Sequence, residues 1–131
     1  NLAKGVLFRD EDLHYTMAVL PSHNKVRRHT LNQIFDRHME LVAEDELDDL
    51  FLDCSHGAVP AIGQAYNLHV IWDEQLLEAS DIYMEAGDHQ HLIHISRKQF
   101  ERLMDNLLHD QFSASLPKLR VAPPYHPSAA P

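Results

Sequence analysis

A loop carrying two glycines and a proline, spanning residues 53–66 with Gly57, Pro60 and Gly63, is the feature that most limits how this chain can fold. Glycine admits backbone angles that other residues resist and proline fixes one of them, so the path here is restricted and unusual. The segment is too apolar for a solvated tether. A loop of this kind presents main-chain N–H groups to a ligand without side-chain interference, which makes it the first candidate site.

The runs on either side alternate between strand and helix patterns. Residues 6–9 and 15–20 are rich in β-branched and aromatic side chains, and the polar residues 10–13 between them predict a hairpin. Residues 21–24 break the second strand. Leu31, Ile34 and Phe35 recur at helical spacing and predict a short helix over residues 26–36. Residues 39–43 read as a short strand. A helix over residues 44–51 follows, with acids in its first turn and Leu47, Leu50 and Phe51 on one face. Its acidic run reads as the solvated side. Residues 68–72, 81–85 and 91–95 are three further strands, the last two joined by a turn at 86–90. Ser96 caps a helix on which Phe100, Leu103, Met104, Leu107 and Leu108 share a face. From Ser113 the chain turns Pro- and Ala-rich and reads as a tail or linker. About six strands and three helices in irregular alternation predict an α/β or α+β domain around a mixed sheet.

At 131 residues the chain is long enough for one core and too short for two ordinary domains. No run approaches the roughly 18–20 apolar residues of a membrane span. Cys54 is the single cysteine, so no internal disulfide forms, and a cytoplasmic location is the simplest expectation. The first residue is Asn, which fits a piece of a longer polypeptide or a processed end. The formal charge of −9 argues against a broad nucleic-acid-coating surface but leaves room for a local patch. Lys25, Arg27 and Arg28, with Arg37 further on, form the densest one; a solvated helix start is the plain reading of the same residues.

Eleven histidines invite a metal reading, above all at His89, His91 and His94. On a strand His89 and His91 share a face while His94 points away, leaving fewer ligands than a zinc site requires, so no metal is expected. Cys54 lies near His56 in sequence and reads either as a nucleophile or as a buried structural thiol. Lys4, in the apolar company of Ala3, Gly5 and Val6, is either exposed beside the terminus or functional. No nucleophile elbow, phosphate loop or dinucleotide fingerprint is present.

Four segments carry a resemblance: residues 3–8, 17–21, 53–60 and 86–89, with Gly57-Ala58-Val59-Pro60 before Ile62-Gly63 the most specific. In order and spacing they resemble the YbaK/EbsC family of aminoacyl-tRNA deacylases, related to the editing insertion domain of bacterial prolyl-tRNA synthetases. The resemblance implies a mixed, curved α/β sheet with flanking helices over residues 1–112, ahead of a tail at 113–131. It also implies hydrolysis of the ester of a mischarged tRNA, without metal or other cofactor. Lys4, Gly57 and His89 match the positions expected to act in catalysis. Ala58, Val59 and Pro60 match the loop that holds the aminoacyl end, and Lys25 and Arg28 would meet the tRNA. The expected substrate is a small amino acid such as alanine or cysteine, on tRNA for proline. The family's upstream segment is absent here and Ala61 stands where many relatives have proline. With the extended tail, these departures raise a competing expectation: a non-catalytic ligand-binding or regulatory module, fused to another domain of a signalling protein. A basic rim around Gly57 favours tRNA; an acidic one favours the competitor.

Overall fold

The computed structural model describes residues 1–115, so the Pro- and Ala-rich tail beyond Ser115 lies outside the described residues. Strands β1 (Ala3–Arg9) and β2 (Tyr15–Pro21) form the expected antiparallel hairpin, paired from Ala3–Pro21 to Arg9–Tyr15. The Asp10 carboxylate closes its turn by accepting from the N–H groups of Asp12 and His14, both at 2.9 Å. There follow β3 (Asn24–Val26), α1 (Arg28–Phe35), β4 (Glu40–Leu41), α2 (Glu44–Leu50), β5 (His69–Asp73), β6 (Asp81–Glu85), β7 (Leu92–Ser96), α3 (Arg97–Leu103), β8 (Leu108–Asp110) and β9 (Ser113–Ser115). Two short 3-10 helices, Gly63–Tyr66 and Glu74–Glu78, flank β5.

The main sheet runs β4-β1-β2-β5-β8 and is mixed: β1 pairs antiparallel with both neighbours, while β2–β5 and β5–β8 are parallel. Two small antiparallel pairs, β3–β9 and β6–β7, complete an α/β fold. The described residues thus form nine short strands in three sheets rather than about six in one. Side chains alternate across the pleat, and both faces are covered. Leu7, Met17, Val19, Val70 and Trp72 pack with Ile82, Met84, Phe100 and Met104 on one face. Phe8, Ala18, Leu20 and Ile71 pack with Leu31, Met39 and Phe112 on the other. That two-sided burial explains the unbroken apolar run of β2.

Three local expectations are corrected. The helix after Ser96 stops at Leu103 although the apolar spacing continues, because Asn106 takes a left-handed angle (φ 64°) and Leu108 enters β8, opposite Ile71. Leu103 and Leu108 are therefore exposed rather than on a buried face. Leu50 is likewise exposed, leaving Phe51 as the buried anchor at the end of α2. The stretch from Ser113 begins as a strand: β9 pairs with β3, and Ser113 is buried. No helix among the described residues is long and apolar enough to cross a membrane.

The closure of the chain rests on Asp73, which is fully buried at the end of β5. Its carboxyl accepts from the Ser113 hydroxyl at 2.6 Å, the Phe112 N–H at 3.1 Å and the Gln75 N–H at 2.8 Å. Asp73→Ala leaves these buried donors unmatched and is expected to lower the unfolding free energy by about 3 kcal/mol in urea denaturation, against about 1 kcal/mol for Ser113→Ala.

Candidate active site

The N-terminal half of β1 is an open sheet edge, since β4 pairs only with Phe8 and Arg9. The Leu7 carbonyl accepts from Val42 N–H on that side, so alternation turns the main-chain groups of Ala3 and Gly5 to the same edge. A cavity of about 210 Å³ lies along it. Its other walls come from α2 (Glu44, Leu47, Asp48), from the loop Cys54–Gly57 with Val59, and from Glu85 at the end of β6. Met17 forms part of the lining beneath Gly5, where an added Cβ would fall 2.7 Å from the Met17 Sδ. The glycine thereby leaves room for the Met17 side chain.

Two glycine turns meet at this wall. Gly57 (φ 77°) and Gly87 (φ 94°) both adopt the left-handed region that L side chains resist. Ser55 N–H donates to Gly87 O at 2.8 Å and Gly87 N–H to Ala58 O at 3.0 Å. His89 Nε2 lies 2.5 Å from the His56 carbonyl, which assigns the proton to that nitrogen. The loop and the β6–β7 turn are therefore zipped together. This geometry separates the sequence-predicted residues. Gly57 and Val59 line the cavity; Ala58 and Pro60 are buried behind it, and the Ala58 N–H is already committed to Ser55 O at 3.0 Å. His89 is exposed, lies outside the lining and holds the loop instead of facing the hollow. The structure thus gives His89 a positioning place.

Lys4 sits at the boundary of two features. It lines the cavity and also a shallow groove of about 400 Å³ with Val6, Phe8, Lys25, Val26, Arg28 and Leu41. Pleat alternation puts its side chain on the Val6 and Phe8 side of β1. Burial, then the charge of Lys25, pull the Lys4 ammonium below its ordinary value. Lys25 and Arg28 are exposed and belong to the groove, not the cavity. The rim is accordingly split: carboxylates of Glu44, Asp48 and Glu85 stand around the hollow with Lys4, and two further cations, Lys25 and Arg28, lie beyond it in the groove.

The acids of α2 are solvated, as expected from the sequence, and Glu44 and Asp48, one turn apart, in addition both reach the exposed His56. Its Nδ1 is 3.0 Å from Asp48 Oδ1 and its Nε2 3.1 Å from Glu44 Oε2. Both ring nitrogens donate only in the imidazolium form, and the Asp48 hydrogen bond accordingly raises the His56 pKa. The far side of α2 is fixed by Glu46, which accepts from Arg9 Nη1 at 2.8 Å and from the Tyr15 hydroxyl. The i, i+4 spacing of Glu44 and Asp48 was the available signal; only the tertiary path reveals its partner. Cys54 is half-buried, packing against the core while also lining the cavity. Its Sγ is 3.2 Å from the Tyr66 hydroxyl, which in turn donates to Asp53. Burial raises the Cys54 thiol, which keeps it protonated and poorly nucleophilic. His91 bonds to Asp88 and not to the partner of His89, and among the described residues no three candidate ligands group to hold a metal.

A family model for the aminoacyl-tRNA editing domain matches residues 1–103, and the chain belongs to that family. Among solved structures, a candidate trans-editing enzyme for prolyl-tRNA synthetase is similar at 17% identity and a TM-score of 0.74, over 87% of this chain and 71% of that one. A candidate signal transduction protein from Marinobacter aquaeolei VT8 is similar at 17% identity and a TM-score of 0.76, over 87% of this chain. This chain spans 25% of the length of that protein. No curated protein matches. These likenesses establish the fold; the family model establishes the membership.

The His56 tether carries a pH signature. A pKa raised on folding contributes its stability below the unfolded value of about 6.5 and loses it as pH climbs through the raised one. An NMR titration of the imidazole should place its midpoint above that of a free histidine, and Asp48→Asn should return it toward the ordinary value.

Proposed function

We propose that this domain hydrolyses the ester linking a small amino acid to a mischarged tRNA, acting in trans. The observation that carries the reading is the shared cavity: Lys4 and the Gly57 turn, far apart in sequence, border one hollow in a chain of the editing family. Its volume equals roughly seven water molecules at about 30 Å³ each, room for a small aminoacyl group.

An aminoacyl ester is already activated, so its hydrolysis needs a positioned water and relief of the charge that develops on the carbonyl oxygen. Among the described residues the Gly57 and Val59 N–H groups donate to no carbonyl, which leaves them free for that oxygen. Lys4, with Lys25 and Arg28 beyond it, serves the phosphates of the tRNA's 3′ strand as point charges. His89 acts through the loop it holds. The size of the cavity selects the amino acid, and because one methylene is worth only about 1–3 kcal/mol, a second hydrolytic step is the economical way to discard small mischarged residues. Alanine or cysteine on tRNA for proline is the substrate this reading names.

A deacylation screen against a panel of mischarged tRNAs tests it: release of alanine or cysteine above the spontaneous rate is expected. Lys4→Ala should cut kcat/KM by about ten- to a hundredfold, the worth of one charge-assisted contact, with an unchanged circular dichroism spectrum. Full activity in that variant removes the role given to Lys4.

A further inference from the structure

We infer that Glu85 recognises the α-ammonium group of the bound aminoacyl ester and so sets the domain against esters whose amino group is blocked. This rests on the deacylase reading and deepens it. Two observations carry it. The first is the register between β1 and β6. Leu2 bridges Tyr83 in parallel fashion, with the Tyr83 N–H donating to Asn1 O at 2.9 Å. Two residues further along each chain segment come Lys4 and Glu85, which both border the cavity. Both are half-buried, and no ion pair joins them.

The second is the commitment of the other charges. Of the three carboxylates around the hollow, Glu44 and Asp48 are held by His56. The Glu85 side chain makes no hydrogen bond or ion pair among the described residues. A carboxylate without a cationic partner, in a cavity for the end of a polyanion, repels the ligand. That arrangement favours binding only where the ligand brings a positive charge to it. The tip of a charged tRNA has one such charge, the ammonium on the carbon next to the ester carbonyl. With phosphate toward Lys4 and ammonium toward Glu85, the cleft reads both ends of the aminoacyl-nucleotide and fixes the carbonyl between them. An N-acylated ester, such as the end of a peptidyl-tRNA, lacks the cation and leaves Glu85 unmatched.

The test uses the full chain and one tRNA bearing the same small amino acid either free or N-acetylated, with rates corrected for spontaneous hydrolysis. The wild type should cleave the free ester about ten- to a hundredfold better, the range of a hydrogen-bonded charge. Glu85→Gln should lose that preference through KM on the free ester and keep its rate on the acetylated one. Glu85→Asp, which retains the charge, should keep part of the preference. Equal cleavage of both esters by the wild type overturns the inference while leaving the deacylase reading intact. So does a Glu85→Gln variant that retains the wild-type preference, which would assign discrimination to bulk, or one that loses both rates equally, which would make Glu85 structural. Failure of the wild type on every charged tRNA overturns both readings together.

Discussion

The site depends on a backbone contact between two glycine turns that local propensity alone would not bring together. Gly57 and Gly87 each bend the chain through the left-handed region, and the bends expose the amides and carbonyls that then pair across the gap. Buried or half-buried main-chain groups need partners, and here each turn supplies the other's. The consequence reaches beyond the loop. The first turn follows α2 and the second joins β6 to β7, so one zipper sets two walls of the cavity against the open edge of β1. His89 adds a side-chain latch on the outer surface.

An unpaired edge is ordinarily a hazard, because it offers main-chain groups to any passing strand. In this fold β4 covers only its far end and β6 touches only its beginning, through Leu2. The intervening residues face a hollow lined by neighbours too distant to pair with them. Gly5 lets Met17 pack close against β1, where a side chain would force it to move aside. The gap in sheet pairing creates the concavity on which any chemistry here depends.

Much of this was legible in residue order. The β1–β2 hairpin followed from two strand-like runs around a polar turn. The α3 start followed from Ser96, whose hydroxyl accepts from Gln99 N–H while Gln99 Oε1 accepts in return from Ser96 N–H. The glycine-proline loop singled out in the sequence lines the cavity at Gly57 and Val59. What stayed hidden was non-local. The apolar spacing through Leu107 and Leu108 could not reveal that Asn106 turns the chain into a parallel strand. The acids of α2 do face solvent, as read, but their partner, His56, arrives only once the loop folds back. His89 sits beside the right turn, yet which way an imidazole points is decided by the carbonyl it meets.

The division of charge around β1 resolves an apparent conflict between a net charge of −9 and the polyanionic ligand proposed for the domain. Net charge governs distant steering, and screening confines it to about one Debye length, near 8 Å at physiological ionic strength. At contact range the distribution matters more than the sum. Lys4, Lys25 and Arg28 form a cationic track that ends where the cavity begins, and beyond that point the charged groups are carboxylates and the histidine that holds two of them. On the proposed reading, a strand of phosphates would be attracted along the track and repelled from the hollow, so that only its uncharged or cationic terminus would enter. Polarity of this kind imposes one direction on an extended ligand with few contacts, and it does so with a surface that gives the body of a nucleic acid little to hold.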